Sequence, residues 1–254
     1  MKRICFLLLL FLASCVSHKD IVSLQDQKIY EHTQKGLPNY HVKANDILHV
    51  KVNSSEETTV ALFNDASGGL SGGGMINNES YLYLNGYLVD SEGKIKLPVV
   101  GEMDVAGKTV EQIREQVDEA LTPYLKQKSV TVKLANFRIA VMGEVNMPGS
   151  FYIYDNKISL LQALSMAGDF TYYSNRTKVK LVRDIGGKTK TTVIDFTKPD
   201  LLASEYYFLQ PNDVVYVEPL KQKAFNVNVA TISLFVSALS VAVLVVSTVL
   251  NQTK

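Results

Sequence analysis

Covalent chemistry is signposted at one place in this chain. Leu12-Ala13-Ser14-Cys15 sets small residues directly before a cysteine, the arrangement of a bacterial lipobox, in which the thiol is diacylated and the cysteine becomes the new N-terminus. Ahead of it Met1-Lys2-Arg3 is basic and residues 4–12 are apolar. That is the pattern of a secretory signal, and it is too short to span a bilayer as a helix. Residues 1–14 are therefore expected to be a lipoprotein signal peptide and Cys15 the lipidation site. Cys5 leaves with the signal, so the mature chain keeps no second thiol for a disulfide or a cysteine-based metal site.

The other groups capable of chemistry do not assemble into a recognisable set. The four histidines are His18, His32, His41 and His49, and none has the spacing of a zinc-binding His-Glu-x-x-His helix. No Gly-x-Ser-x-Gly turn and no Cys–His pair is present. Glu56-Glu57 and Asp118-Glu119 are sequence neighbours, which suits solvated carboxylates better than the two facing carboxyls of a glycosidase. The glycine-rich stretch 66–74 lacks the Gly-Lys-Ser/Thr ending and following helix of a phosphate loop and reads as a surface loop. The chain is expected not to be an enzyme and to use no cofactor and no metal. With 26 basic against 25 acidic residues, it carries no electrostatic footprint for nucleic acid.

The far end carries a different signal. From Asn226 to Asn251 there is no charged side chain. Residues 227–250 would make a helix of roughly 36 Å, against a hydrocarbon core of about 30 Å. A C-terminal transmembrane helix is expected over 226–251. Within it Asn226, Ala230, Ser233, Ser237, Ser240, Leu244, Ser247 and Asn251 alternate spacings of four and three, one narrow helical face. A span surrounded by lipid gains nothing from such a face. Asn226, Ser233, Ser237, Ser240, Ser247 and Asn251 are read as facing a water-filled lumen made by several copies; packing against a single neighbouring helix is the other reading of a small-residue stripe.

Between these ends the sequence reads as α+β. Residues 15–38 are polar and weakly patterned, a tether. A strand is expected over 40–43, a turn at Ala44-Asn45-Asp46, and a second strand to Val52; the same phrase returns as Pro211-Asn212-Asp213 before a last strand to Val217. Asparagine ahead of aspartate suits a turn that visits positive φ. Residues 88–101 read as strand, tight turn, strand. Thr109 with Gln112 and Ser159 with Gln162 have capping-box spacing at the starts of two helices. Gly168 stands where a left-handed residue would end the second. Strands are expected at 129–134, on either side of Pro148-Gly149, at 178–182 and at 190–195.

In this order the phrases resemble the outer-membrane polysaccharide export family, the Wza-type lipoproteins of capsule and exopolysaccharide secretion. Asp90, Gly93, Leu97-Pro98, Gly101 and Val105-Ala106-Gly107-Lys108-Thr109 carry the likeness to its polysaccharide-export domain, placed at 39–135. Val141-Met142-Gly143-Glu144-Val145, Pro148-Gly149, the helix ending Ala167-Gly168 and Leu181-Val182-Arg183 carry the likeness to its soluble-ligand-binding β-grasp (SLBB-type) domain, placed at 136–219. The family's Pro-Gly-Asp turns are replaced here by Ala44-Asn45-Asp46 and Pro211-Asn212-Asp213, and only one β-grasp unit is evident. The resemblance implies a homo-oligomeric ring that passes a capsular or exopolysaccharide chain. It further implies outer-membrane lipid around the terminal helices, globular domains in the periplasm of a Gram-negative bacterium, and an inner-membrane copolymerase or tyrosine kinase below. A lipoprotein that binds a periplasmic ligand or acts as a scaffold, with 227–250 as a plain anchor, is the competing reading.

Overall fold

The computed structural model describes residues 22–25, 40–55 and 85–252. Cys15, the signal sequence, most of the tether and the glycine-rich stretch 66–74 lie outside the described residues.

Alternation of apolar and polar residues builds the first sheet. β1 (Ile47–Ser54) pairs antiparallel with β2 (Tyr87–Leu88) and with β5 (Lys128–Leu134). β3 (Lys94–Leu97) and β4 (Gly101–Asp104) form a separate hairpin. Helix α1 (Val110–Leu121) starts on the expected capping box, with Thr109 accepting from the Gln112 amide and Gln112 reaching back to Thr109. Its Ile113, Val117 and Leu121 are fully buried against Leu48, Val52 and Val105.

The second core sits under a five-stranded mixed sheet of order β7-β6-β10-β8-β9. Its strands are β6 (Arg138–Gly143), β7 (Gly149–Tyr152), β8 (Ser174–Ile185), β9 (Lys188–Ile194) and β10 (Val214–Pro219). β10 runs parallel to β6 and antiparallel to β8. Helix α2 (Leu160–Met166), again opened by a complete Ser159–Gln162 capping box, buries Leu160, Ala163 and Leu164 beneath it. Gly168 has φ +71°, as its place past the helix end requires. Leu134 packs against both cores, and the Asn136 side chain ties them, accepting from the Ile47 amide and donating to the Asn45 carbonyl.

Two sequence expectations change. Residues 40–43 are not a strand: Val42 donates to Lys108 O and accepts from the Gly107 amide, a two-bond attachment to a loop with no ladder. β4 is an additional strand; Val99, at φ +65°, turns the chain so that Gly101–Asp104 folds back on β3.

Helix α3 (Lys221–Gln252) begins directly after β10 and is continuous for 32 residues. Among the described residues, no helix is long and apolar enough to cross a membrane. The helical conformation expected over 226–251 is therefore observed, but its membrane-crossing character is not supported by the described residues.

The end of β6 shows why one glycine is needed. Gly143 has φ +92°, and a Cβ built there would lie 2.2 Å from the Val217 carbonyl oxygen. Both the dihedral and the backbone contact exclude a side chain. Gly143→Ala is expected to cost at least about 2 kcal/mol. In thermal melts that is a fall in Tm of about 4–8 °C; an unchanged Tm would show that the β6–β10 contact relaxes freely.

Candidate functional site

The terminal helix and the surface from which it rises form the candidate site. β6 ends at Gly143, and the Glu144 amide donates to Val217 O at 3.0 Å, which turns the Glu144 side chain back under the last strand. Glu144 is buried. Thr171 donates to its Oε1 at 2.7 Å, and Lys223, in the first turn of α3, donates to Oε2 at 2.5 Å. The Ser174 hydroxyl donates to the Glu144 carbonyl. The Leu220 amide donates to Tyr173 O at 2.7 Å. Burial works against ionisation of Glu144, but the hydrogen bonds from Lys223 and Thr171 outweigh it and hold the carboxyl below its ordinary range. The helix is thus seated by a charge-assisted bond and a backbone bond.

Beyond the seat, the described side chains of α3 are exposed. Ser233, Ser237 and Ser240 are exposed. So are their apolar neighbours Leu234, Phe235, Val236, Leu239 and Leu244. Ser237 donates to Ser233 O at 2.9 Å and Leu234 O at 3.0 Å, and Ser240 donates to Val236 O at 2.8 Å. Each of these two hydroxyl protons is therefore spent inside the helix, while the acceptor lone pairs point outward. Asn226, Ser247 and Asn251 fall on the same helical face by spacing; their side chains lie outside the described residues. Exposure in a single copy does not separate the stripe from the rest of the helix. What it shows is a long apolar surface that one chain leaves uncovered.

The two Asn-Asp turns, noticed in the sequence as an echo, are the same structure twice. Asn45 and Asn212 have φ +69° and +66°. Asp46 accepts from the Lys43 amide at 2.8 Å, and Asp213 accepts from the Gln210 amide at 2.7 Å. Each aspartate then takes a second partner. Tyr40 donates to Asp46 at 2.8 Å, while Arg183 grips Asp213 in a bidentate pair at 2.9 and 2.7 Å and donates to Phe208 O at 3.0 Å. Burial pushes both aspartates above their usual range, and these partners pull them only part of the way back. The Tyr40 hydroxyl is driven strongly upward by its own burial and by Asp46.

These turns flank a cleft of about 380 Å³ between the two domains, lined among others by Tyr40, Lys43, Arg183, Lys190 and Tyr206. Lys43 closes one side with a 3.2 Å bond to Asp184 O. Of the histidines, His41 lies at the cleft with Nδ1 3.0 Å from Gly107 O. His49 sits on β1, its basicity lowered by burial and by Lys51 and Lys133. Among the described residues, no group of His, Cys, Asp or Glu could hold a metal ion.

Sequence reasoning missed the seat. Glu144 stood out only as part of the phrase Val141-Met142-Gly143-Glu144-Val145. It and Lys223 are 79 positions apart, and no local pattern joins them.

Comparison with known proteins bears on the same regions. Residues 34–135 match a family described as polysaccharide biosynthesis/export protein. Residues 138–217 match the SLBB domain. The chain is 31% identical over 139 residues to the EPS I polysaccharide export outer membrane protein EpsA of Ralstonia nicotianae, covering 53% of this chain and 36% of that one. The protein of the same name from Ralstonia solanacearum is 30% identical over 138 residues, with the same coverage. The exopolysaccharide production protein ExoF of Rhizobium meliloti is 31% identical over 86 residues, 32% of this chain and 20% of that one. The matched segment thus spans about a third of the EpsA relatives' own length.

Proposed function

The chain belongs to the outer-membrane polysaccharide export family, and on that premise we propose that it is a lipoprotein whose copies close into a ring that passes an exopolysaccharide or capsular chain through the outer membrane. The names of the two Ralstonia relatives support both the cargo and the membrane. The two cores, meeting at Leu134, support a division into an export domain at 39–135 and a β-grasp domain at 136–219. Cys15 carries the lipid, and α3 crosses the membrane over 226–251. The inner-membrane copolymerase or tyrosine kinase below supplies the drive.

One observation carries the reading: a continuous helix of 32 residues whose described side chains beyond the seat are exposed. Such a helix needs a cover. Lipid can cover its apolar sides, but a hydroxyl and amide stripe beside acyl chains gains nothing. A closed ring turns every stripe inward and every apolar side outward, and it leaves no copy with an odd face. The resulting lumen presents the hydroxyls of Ser233, Ser237 and Ser240, together with Asn226, Ser247 and Asn251. Neutral acceptors exchange hydrogen bonds with sugar hydroxyls and water without trapping a charged chain. No step in this process makes or breaks a bond, so the chain acts as a conduit and not as an enzyme.

Replacing Ser233, Ser237 and Ser240 together by leucine is expected to impair export strongly while leaving the periplasmic domains folded. Surface polysaccharide measured by immunoblot, with thermal melting of the purified protein as the folding control, reads both. Normal surface polysaccharide in the triple variant would remove the lumenal stripe from the account.

A further inference from the structure

Residues 22–25 lie against the β-grasp domain, although the chain they belong to leads on to the export domain. The Leu24 amide donates to Phe196 O at 3.1 Å and the Gln25 amide to Thr197 O at 3.0 Å. Arg176 donates to the Ser23 hydroxyl at 3.2 Å. Leu24 is held at φ +53°, a conformation that costs an L-residue about 1–2 kcal/mol and persists where surrounding contacts fix it.

The position of this strap on the sheet gives it meaning. Antiparallel pairing places Ser174 opposite Pro219 and Val182 opposite Val214, so β8 begins at the end where α3 departs and finishes at the end that meets the export domain. Arg176, Phe196 and the strap belong to the α3 end. The export domain attaches at the other, through Lys43 on Asp184, about 26 Å along β8 from Arg176 at the rise of a strand. Cys15 lies only seven residues before Val22, a reach of about 25 Å even when fully extended. Both segments bound for lipid therefore leave the β-grasp domain from one end.

That end also exposes residues suited to an interface. Tyr172 is 76% exposed, with its ring edge-on to Tyr173 at 5.6 Å. Met147, at the β6–β7 turn, is 57% exposed, and Lys221 is exposed beside them in the chain's path to α3. We infer that this end of the β-grasp domain, with Tyr172 and Met147 at its rim, rests on the lipid headgroups of the membrane that holds Cys15 and α3. Tyrosine suits that layer, since its ring is apolar and its hydroxyl wet, and the lysine meets headgroup phosphate. The inference rests on the reading that Cys15 is acylated and that α3 inserts.

The chain contains no tryptophan, so a single introduced tryptophan reports alone. Full-length lipidated protein carrying Tyr172→Trp, Met147→Trp, Leu239→Trp or Tyr154→Trp is placed in phosphatidylethanolamine–phosphatidylglycerol nanodiscs, with and without brominated acyl chains. Leu239 lies within the proposed span; Tyr154, beside the cleft that holds Thr109 and Phe208, lies at the export-domain end. Loss of emission with brominated lipid at 172 or 147 and at 239, with none at 154, is the expected result. Quenching at 239 with full emission at 172 and 147 would overturn the resting surface while leaving the span intact. Full emission at all four positions would overturn the span and the resting surface together.

Discussion

A chain that stops at Lys223 is expected to keep both folded domains and to lose export altogether. Among the described residues, neither hydrophobic core uses one beyond Val217. The cut also spares the Lys223–Glu144 pair and the Leu220–Tyr173 bond, so no buried carboxylate is left alone. Circular dichroism and thermal melting should match those of the full-length protein. Surface polysaccharide should nevertheless fall to the level of a deletion strain, because the only long exposed apolar element among the described residues is gone. A truncated protein that still exports would place the conduit elsewhere in the chain. Loss of melting cooperativity would instead mean that α3 stabilises the domains, which their core composition argues against.

The largest stability effect is expected at Arg183. Its guanidinium and the Asp213 carboxylate are both buried and joined by two bonds. Removing one partner strands the other in a dry site, which typically costs about 3–5 kcal/mol. For Arg183→Leu the corresponding fall in Tm is on the order of 10 °C. The double variant Arg183→Leu/Asp213→Leu should recover part of this loss, because no charge is left unpaired, although the Gln210 amide then loses its acceptor. The pH dependence has a definite sign. Burial already raises Asp213, and Arg183 is the main influence opposing it. Without Arg183 the folded form prefers the protonated acid more strongly, so its contribution is present at low pH and lost as pH rises through the folded-state value. The deficit of Arg183→Leu should therefore shrink on acidification toward the ordinary aspartate range near pH 4. Melts of both proteins across pH test this; a deficit that grows on acidification would show that Asp213 stays ionised.

What the sequence made legible was local. The capping boxes at Thr109–Gln112 and Ser159–Gln162 formed as read, because cap and partner sit three residues apart and need nothing from the rest of the fold. The turns at Asn45-Asp46 and Asn212-Asp213 were recognisable for the same reason, down to the positive φ of each asparagine. β4 escaped because the turn before it depends on Val99 in a left-handed conformation, which no propensity suggests for a β-branched residue. Residues 40–43 alternate like a strand, but Val42 pairs only with the loop at Gly107 and Lys108. The Glu144–Lys223 seat and the Leu24–Phe196 strap were invisible, since each joins segments far apart in the chain and depends on the topology of the sheet between them. The stripe on α3 was legible as a spacing. Its role depends on how copies meet, a property of the assembly.

Single-particle images of the full-length, lipid-bearing protein extracted in detergent test the central claim most directly. The account predicts a closed ring of copies in which Ser233, Ser237 and Ser240 line a continuous axial opening and Leu234, Val241 and Val245 face the detergent belt. A lone molecule, or a ring whose serine side faces the detergent, would contradict it.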